Sequence, residues 1–173
     1  MKKIYIVLTY TGTVLSRVTK VLTHNTYTHA SIALDENLDT LCSFGRLNPY
    51  NPFIGGFVYE GINIGTFKRF KNTKAVIYSL EVTNKEYDRL IKNINRISNN
   101  RLEYKFNVIG LIFALFRIRR KIKNRYYCSE FVRSMLEYSN IRNRDVSLCM
   151  RPQDFSRLEG LQLEYKGLLR EYA

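Results

Sequence analysis

A single α+β domain is what this 173-residue chain predicts, on three observations. Short β-branched and aromatic runs recur along it, and amphipathic helical stripes fall between them. With 45% hydrophobic residues, a chain of this length buries about two thirds of its unfolded surface in a core. No internal repeat, low-complexity tract or linker divides it, so residues 1–173 read as one domain.

Residues 4–8, Ile-Tyr-Ile-Val-Leu, predict a buried strand that the turn chemistry of Thr9-Tyr10-Thr11-Gly12-Thr13 ends. Val14, Leu15, Val18, Val21 and Leu22 then repeat at helical spacing, with Arg17 and Lys20 on the other face and His24-Asn25 closing the helix. Residues 29–34 alternate as a second strand. Asp35-Glu36-Asn37 reads as a turn, and a return strand follows over 38–44. That turn sets Ser43 opposite His29, within two positions of register. Residues 45–52 predict a proline-bearing loop and 54–61 a strand whose glycines suggest a bend. Pro49 and Pro52 exclude a regular central strand. After a strand over 75–82, Thr83 and Glu86 form a capping box for a helix whose buried stripe is Tyr87, Leu90, Ile91, Ile94 and Ile97.

Residues 106–116 are the most apolar stretch. They fall well short of the roughly twenty residues of a transmembrane helix and predict a buried helix or a strand–helix junction in the core. A further helix opens at Cys128 and ends with Asn140 as its left-handed cap. Residues 151–155 turn into a short helix, Leu161, Leu163 and Tyr165 alternate as a last strand, and 167–173 trail off the domain.

Lys and Arg total 28 against 15 Asp and Glu, a net charge of +13 that favours polyanions. Arg117, Arg119, Arg120, Lys121, Lys123 and Arg125 crowd one segment, read either as a solvated face or as a contact for an anionic polymer or membrane surface. Nucleic acid carries less weight as a partner, because there is no recognisable binding motif and the aromatics read as core stripes. Two histidines without an HExxH pattern, and no cysteine cluster, give no zinc site, and nothing implies a cofactor. Three cysteines without a CxxC pair argue against a disulfide framework and for a reducing compartment. The opening Met-Lys-Lys and its apolar run stop at Thr9, too short for export or spanning, so a cytoplasmic location is expected.

Cys128 shares the stripe of Phe131, Val132, Met135 and Leu136 at a helix start, where backbone N–H groups favour the thiolate. Taken alone, such a cysteine is more often a small buried hydrophobe. An imidazole base must be His24 or His29. His24 sits at a helix end, where capping explains it, whereas a strand holds His29. A lone strand histidine is also more often structural.

The pair changes that balance. Tyr27-Thr28-His29-Ala30-Ser31-Ile32-Ala33-Leu34 together with Tyr127-Cys128-Ser129-Glu130-Phe131-Val132 resembles the circularly permuted branch of the NlpC/P60 papain-like superfamily, which includes YiiX-like and lecithin:retinol acyltransferase-like proteins. In that branch the histidine strand precedes the cysteine helix, as it does here. The resemblance implies a permuted papain-like fold with an antiparallel half-barrel sheet packed against the cysteine-bearing helix. It also implies thiol chemistry on amide or ester bonds: cell-wall peptide hydrolysis in many members, acyl transfer or lipid hydrolysis in others.

Carried over singly, Cys128 matches the nucleophile and His29 the general base. For the third polar residue the hairpin register points to Ser43, a weak orienter, while Glu60 is the stronger acceptor on a later segment. The Cys128 N–H would hold the oxyanion, and Tyr10 is a candidate second donor, against an ordinary strand-edge tyrosine. The expected function is a cysteine-dependent amidase or peptidase acting on a peptide, amide or lipid-ester substrate through an acyl-thioester. The alternatives are a silent binding module using residues 117–125, and a lipid acyltransferase on the same fold.

Overall fold

The β-branched and aromatic residues that open the chain favour extended backbone. In the computed structural model they form the inner strand β1 (Lys2–Tyr10), with Ile4, Ile6 and Val7 fully buried. The structure describes residues 1–48 and 50–172, without the side chains of Val14, Leu15, residues 51–53, Asn143 and Arg144. Thr13 caps α1 (Val14–Thr23) by accepting the Ser16 N–H, and His24 ends it at φ 53°. The chain returns as β2 (His29–Ala33), β3 (Leu41–Asn48) and β4 (Asn51–Glu60), and α2 (Gly65–Arg69) leads into β5 (Lys74–Val82). The capping box of Thr83 and Glu86 opens α3 (Asn84–Asn99). Two-residue strands β6 (Lys105–Phe106) and β7 (Arg125–Tyr126) bracket α4 (Val108–Leu115). Then come α5 (Cys128–Tyr138), α6 (Asn143–Val146), a 3-10 turn at Pro152–Arg157 and β8 (Leu161–Leu168).

Six strands form one antiparallel sheet in the order β4-β3-β2-β1-β5-β8. Strand alternation gives it two apolar faces. Ile6, Ile32, Phe44 and Phe57 pack against α3 and α5 through Leu90, Ile94, Phe131 and Met135. Tyr5, Val7, Ala33, Leu41 and Ile77 cover the other face with Phe67 and Leu169. The Phe131 ring lies 5.3 Å from Phe44 and 5.7 Å from Phe57, which seats α5 across β3 and fixes where its first residue falls. This is a mixed α+β architecture, and among the described residues no helix is long and apolar enough to cross a membrane.

Several expectations are corrected. The turn after β2 is longer than predicted, because the Asp35 carboxylate accepts the Asp39 and Thr40 N–H groups at 2.7 and 2.8 Å and Leu38 takes φ 59°. β3 therefore begins at Leu41, and its pairing of Ile32 with Cys42 puts Gly45 across from His29, two places beyond Ser43 and at the limit of the expected register. The predicted loop over 45–52 is largely strand: β3 runs to Asn48 and β4 starts at Asn51. Pro52 is tolerated there because β4 is an edge strand, and Pro49 lies outside the described residues. The C-terminal stretch does not trail off, since β8 extends to Leu168 alongside β5 and Leu169 is buried. The apolar stripe of α1 faces solvent, with Val18, Val21 and Leu22 exposed, while the side chains of Val14 and Leu15 lie outside the described residues. Residues 106–116 do form a strand–helix junction, yet α4 is largely exposed instead of buried.

Candidate active site

Cys128 is the first residue of α5, and Tyr127 before it is extended, with no side-chain cap. The first-turn N–H groups of such a helix lack intrahelical partners, so they and the helix dipole favour negative charge at this end. Only 6% of Cys128 is exposed. The Ser129 hydroxyl lies 4.0 Å from its sulfur, and the His29 imidazole and the Ala30 N–H are the groups that most favour its ionisation.

His29 opens β2, and its Nε2 lies 2.8 Å from Oε1 of Glu60, the last residue of β4. Nε2 is thereby occupied, which leaves Nδ1 as the nitrogen that can meet the sulfur. The second Glu60 oxygen accepts the Ser31 hydroxyl. The edge of Phe67 closes the other side, with ring centroids 6.4 Å apart. His29 and Glu60 are two strands apart, and they meet over Gly45 on the strand between.

A Cβ at Gly45 would stand 3.4 Å from His29 Cε1 and 3.5 Å from Glu60 Oε1, an ordinary contact. Gly45→Ala is therefore expected to preserve any thiol reactivity of Cys128. Gly45→Val adds two methyl groups in the same space and is expected to lower it at least about tenfold while leaving the far-ultraviolet circular dichroism unchanged.

Burial opposes charge on both members of the pair, and the local electrostatics overcome it. Desolvation lowers the His29 pKa, but the Glu60 carboxylate and the Cys128 sulfur outweigh it, and the imidazole is pushed up to about 10. Desolvation likewise raises the Cys128 thiol, but the His29 imidazole and the Ala30 N–H bring it below its ordinary 9.0. Both shifts run in the direction of a thiolate–imidazolium pair. The other two cysteines are pushed the opposite way: burial raises Cys42 strongly and Cys149 to about 12.

The structure brings Cys128, His29 and Glu60 together and separates the remaining candidates. Ser43 is fully buried and donates to the Ala30 carbonyl at 2.6 Å, so its hydroxyl is committed to the backbone and does not orient the imidazole. Tyr10 is not among the residues bordering the pocket beside the sulfur, and its ring lies 4.9 Å beneath the Lys20 ammonium. Ser31 and Gly45 were missed. The period-two spacing of His29 and Ser31 on one strand face is the signal that could have exposed Ser31. Of the basic run, Arg117 pairs with Asp154 at 3.1 Å and Arg119 with Glu137 at 3.3 Å.

No family model matches the chain, and no curated protein matches it at a significant level. Among solved structures it is similar to the metalloprotein YiiX from Escherichia coli O157:H7, with a TM-score of 0.53 and 12% identity. That likeness covers 95% of this chain and 97% of YiiX. The word metalloprotein describes that neighbour. Among the described residues here, no three His, Cys, Asp or Glu side chains are grouped so as to hold a metal ion, and Nε2 of His29 is already committed to Glu60. At this identity the likeness concerns architecture: the chain has the α+β fold of YiiX along nearly its whole length.

Proposed function

We propose that the chain is a cysteine-dependent hydrolase of the permuted NlpC/P60 papain-like superfamily, cleaving an amide or ester bond. The observation that carries this reading is the line of groups from Cys128 through His29 to Glu60, in which the pKa of a buried thiol at a helix start is lowered by an imidazole that Glu60 holds at 2.8 Å. In the permuted order, the half-barrel sheet supplies His29 and Glu60 and α5 supplies Cys128.

The Cys128 thiolate attacks the carbonyl carbon, and the Cys128 N–H at the start of α5 receives the oxyanion. The imidazolium of His29 gives its proton to the leaving amine or alcohol as the C–N or C–O bond breaks, which leaves an acyl-thioester. Water then loses a proton to His29 and attacks the thioester carbonyl, releasing the carboxylic acid and restoring the ion pair. If another acceptor takes the place of water, the outcome is acyl transfer. Glu60 keeps the tautomer and angle of the ring and stabilises its charge. The free cysteines Cys42, Cys128 and Cys149 suit the reducing, cytoplasmic setting that belongs to this reading.

The test is to incubate the protein with a panel of activated acyl esters and aminoacyl amides and to measure intact mass. One acyl group per chain, released by hydroxylamine and absent from Cys128→Ala, is the expected result. Acylation that survives Cys128→Ala, or none with any member of the panel, would count against the proposal.

A further inference from the structure

Two helices turn apolar faces to solvent. On α1, Val18, Val21 and Leu22 are 51%, 69% and 59% exposed, while among its described side chains Ser16 and Thr23 are the buried ones. For these described side chains the usual orientation of an amphipathic helix is reversed. On α4, Val108, Ile109, Ile112 and Phe113 share one face at i, i+1, i+4, i+5 spacing and are exposed, whereas Gly110 and Ala114 point inward. Phe116, next along that face, is 72% exposed. The two helices flank one opening: Thr19 and Thr23 of α1 and Leu111, Ala114 and Leu115 of α4 line the pocket that reaches Cys128. Exposed apolar side chains gathered on two helices beside a pocket are a feature of interaction sites.

We propose that this face docks on the surface of an anionic lipid bilayer. Charge selects that occupant. The protein carries a net +13, and the segment directly after α4 is strongly basic. Within it Arg120, Lys123 and Arg125 are exposed and enter no ion pair among the described residues. A second copy of this chain on the same face would set two such charges against each other. A bilayer takes isoleucine, leucine, valine and phenylalanine into the boundary between headgroups and acyl chains, while its phosphates meet the cations. No helix among the described residues is long and apolar enough to cross, so the association is interfacial. The opening toward Cys128 lies between the docked helices, and on the catalytic reading above a substrate would enter from the membrane side.

The full chain is sedimented with vesicles of phosphatidylcholine alone and of phosphatidylcholine with phosphatidylglycerol. Binding to the anionic vesicles is expected, with little to the neutral ones. Ile109→Ser with Ile112→Ser is expected to lower the partition about tenfold or more, and added salt to weaken it further. Val21→Ser with Leu22→Ser, on the other helix, repeats the test should the first variant misfold. Three results would overturn the proposal: no binding to anionic vesicles, binding indifferent to both variants, or a vesicle-independent dimer in sedimentation velocity that the variants dissolve. Thiol labelling of Cys128 in the same samples separates the two ideas. Lost vesicle binding with labelling intact removes only the docking face, and intact binding without labelling removes only the catalytic reading.

Discussion

His29→Ala is expected to slow acylation of Cys128 by a substrate-like ester by roughly a hundredfold to ten-thousandfold at neutral pH, the range removed with a positioned general base. Two effects combine. Without the imidazole the forces that lower the Cys128 pKa lose their largest member, and burial, which raises it, is left dominant. The thiolate fraction therefore falls, and the leaving group loses its proton donor. A small alkylating agent needs only the thiolate, so its rate is expected to fall less, by about tenfold. The gap between the two probes separates base catalysis from simple ionisation, and equal losses with both would remove His29 as an acid and base.

The second large effect is expected from Glu60→Gln. The carboxylate is the foremost group raising His29 to about 10, and glutamine keeps an acceptor oxygen there without the charge. The imidazolium is then lost at lower pH, so the alkaline limb of the rate profile moves down from about 10 toward the ordinary 6.5. Each unit of that shift removes about tenfold of the charged form at pH values above it. Stability follows with the same sign. A raised histidine pKa contributes stability that is complete below 6.5 and is lost as pH rises through about 10, so the variant should show a flatter fall in Tm across that window. An unchanged alkaline limb would mean that Glu60 only fills space.

The positions of Cys128 and His29 were legible because each begins an element with a strong period: the stripe of Phe131, Val132, Met135 and Leu136 in α5, and the alternation of β2. Glu60 could be named but not placed, since it reaches the imidazole over an intervening strand. Its reach also depends on the β3 register, which the Asp35 turn sets two residues away from the simple hairpin. Ser43 was misjudged for the same reason. The helices flanking the opening were misread for a different one. Spacing tells which residues share a face, as with Val18, Val21 and Leu22, but whether that face meets core or solvent depends on what packs over it. The capping box of Thr83 and Glu86, a purely local signal, was readable to the residue.

Central to this account is the thiolate–imidazolium pair, and the most direct measurement of it is the pH titration of thiolate ultraviolet absorbance, taken as the difference between the wild type and Cys128→Ala. A thiolate midpoint below 9.0 that moves above it in His29→Ala is the predicted result. A wild-type midpoint at or above 9.0, unaffected by His29, would contradict it.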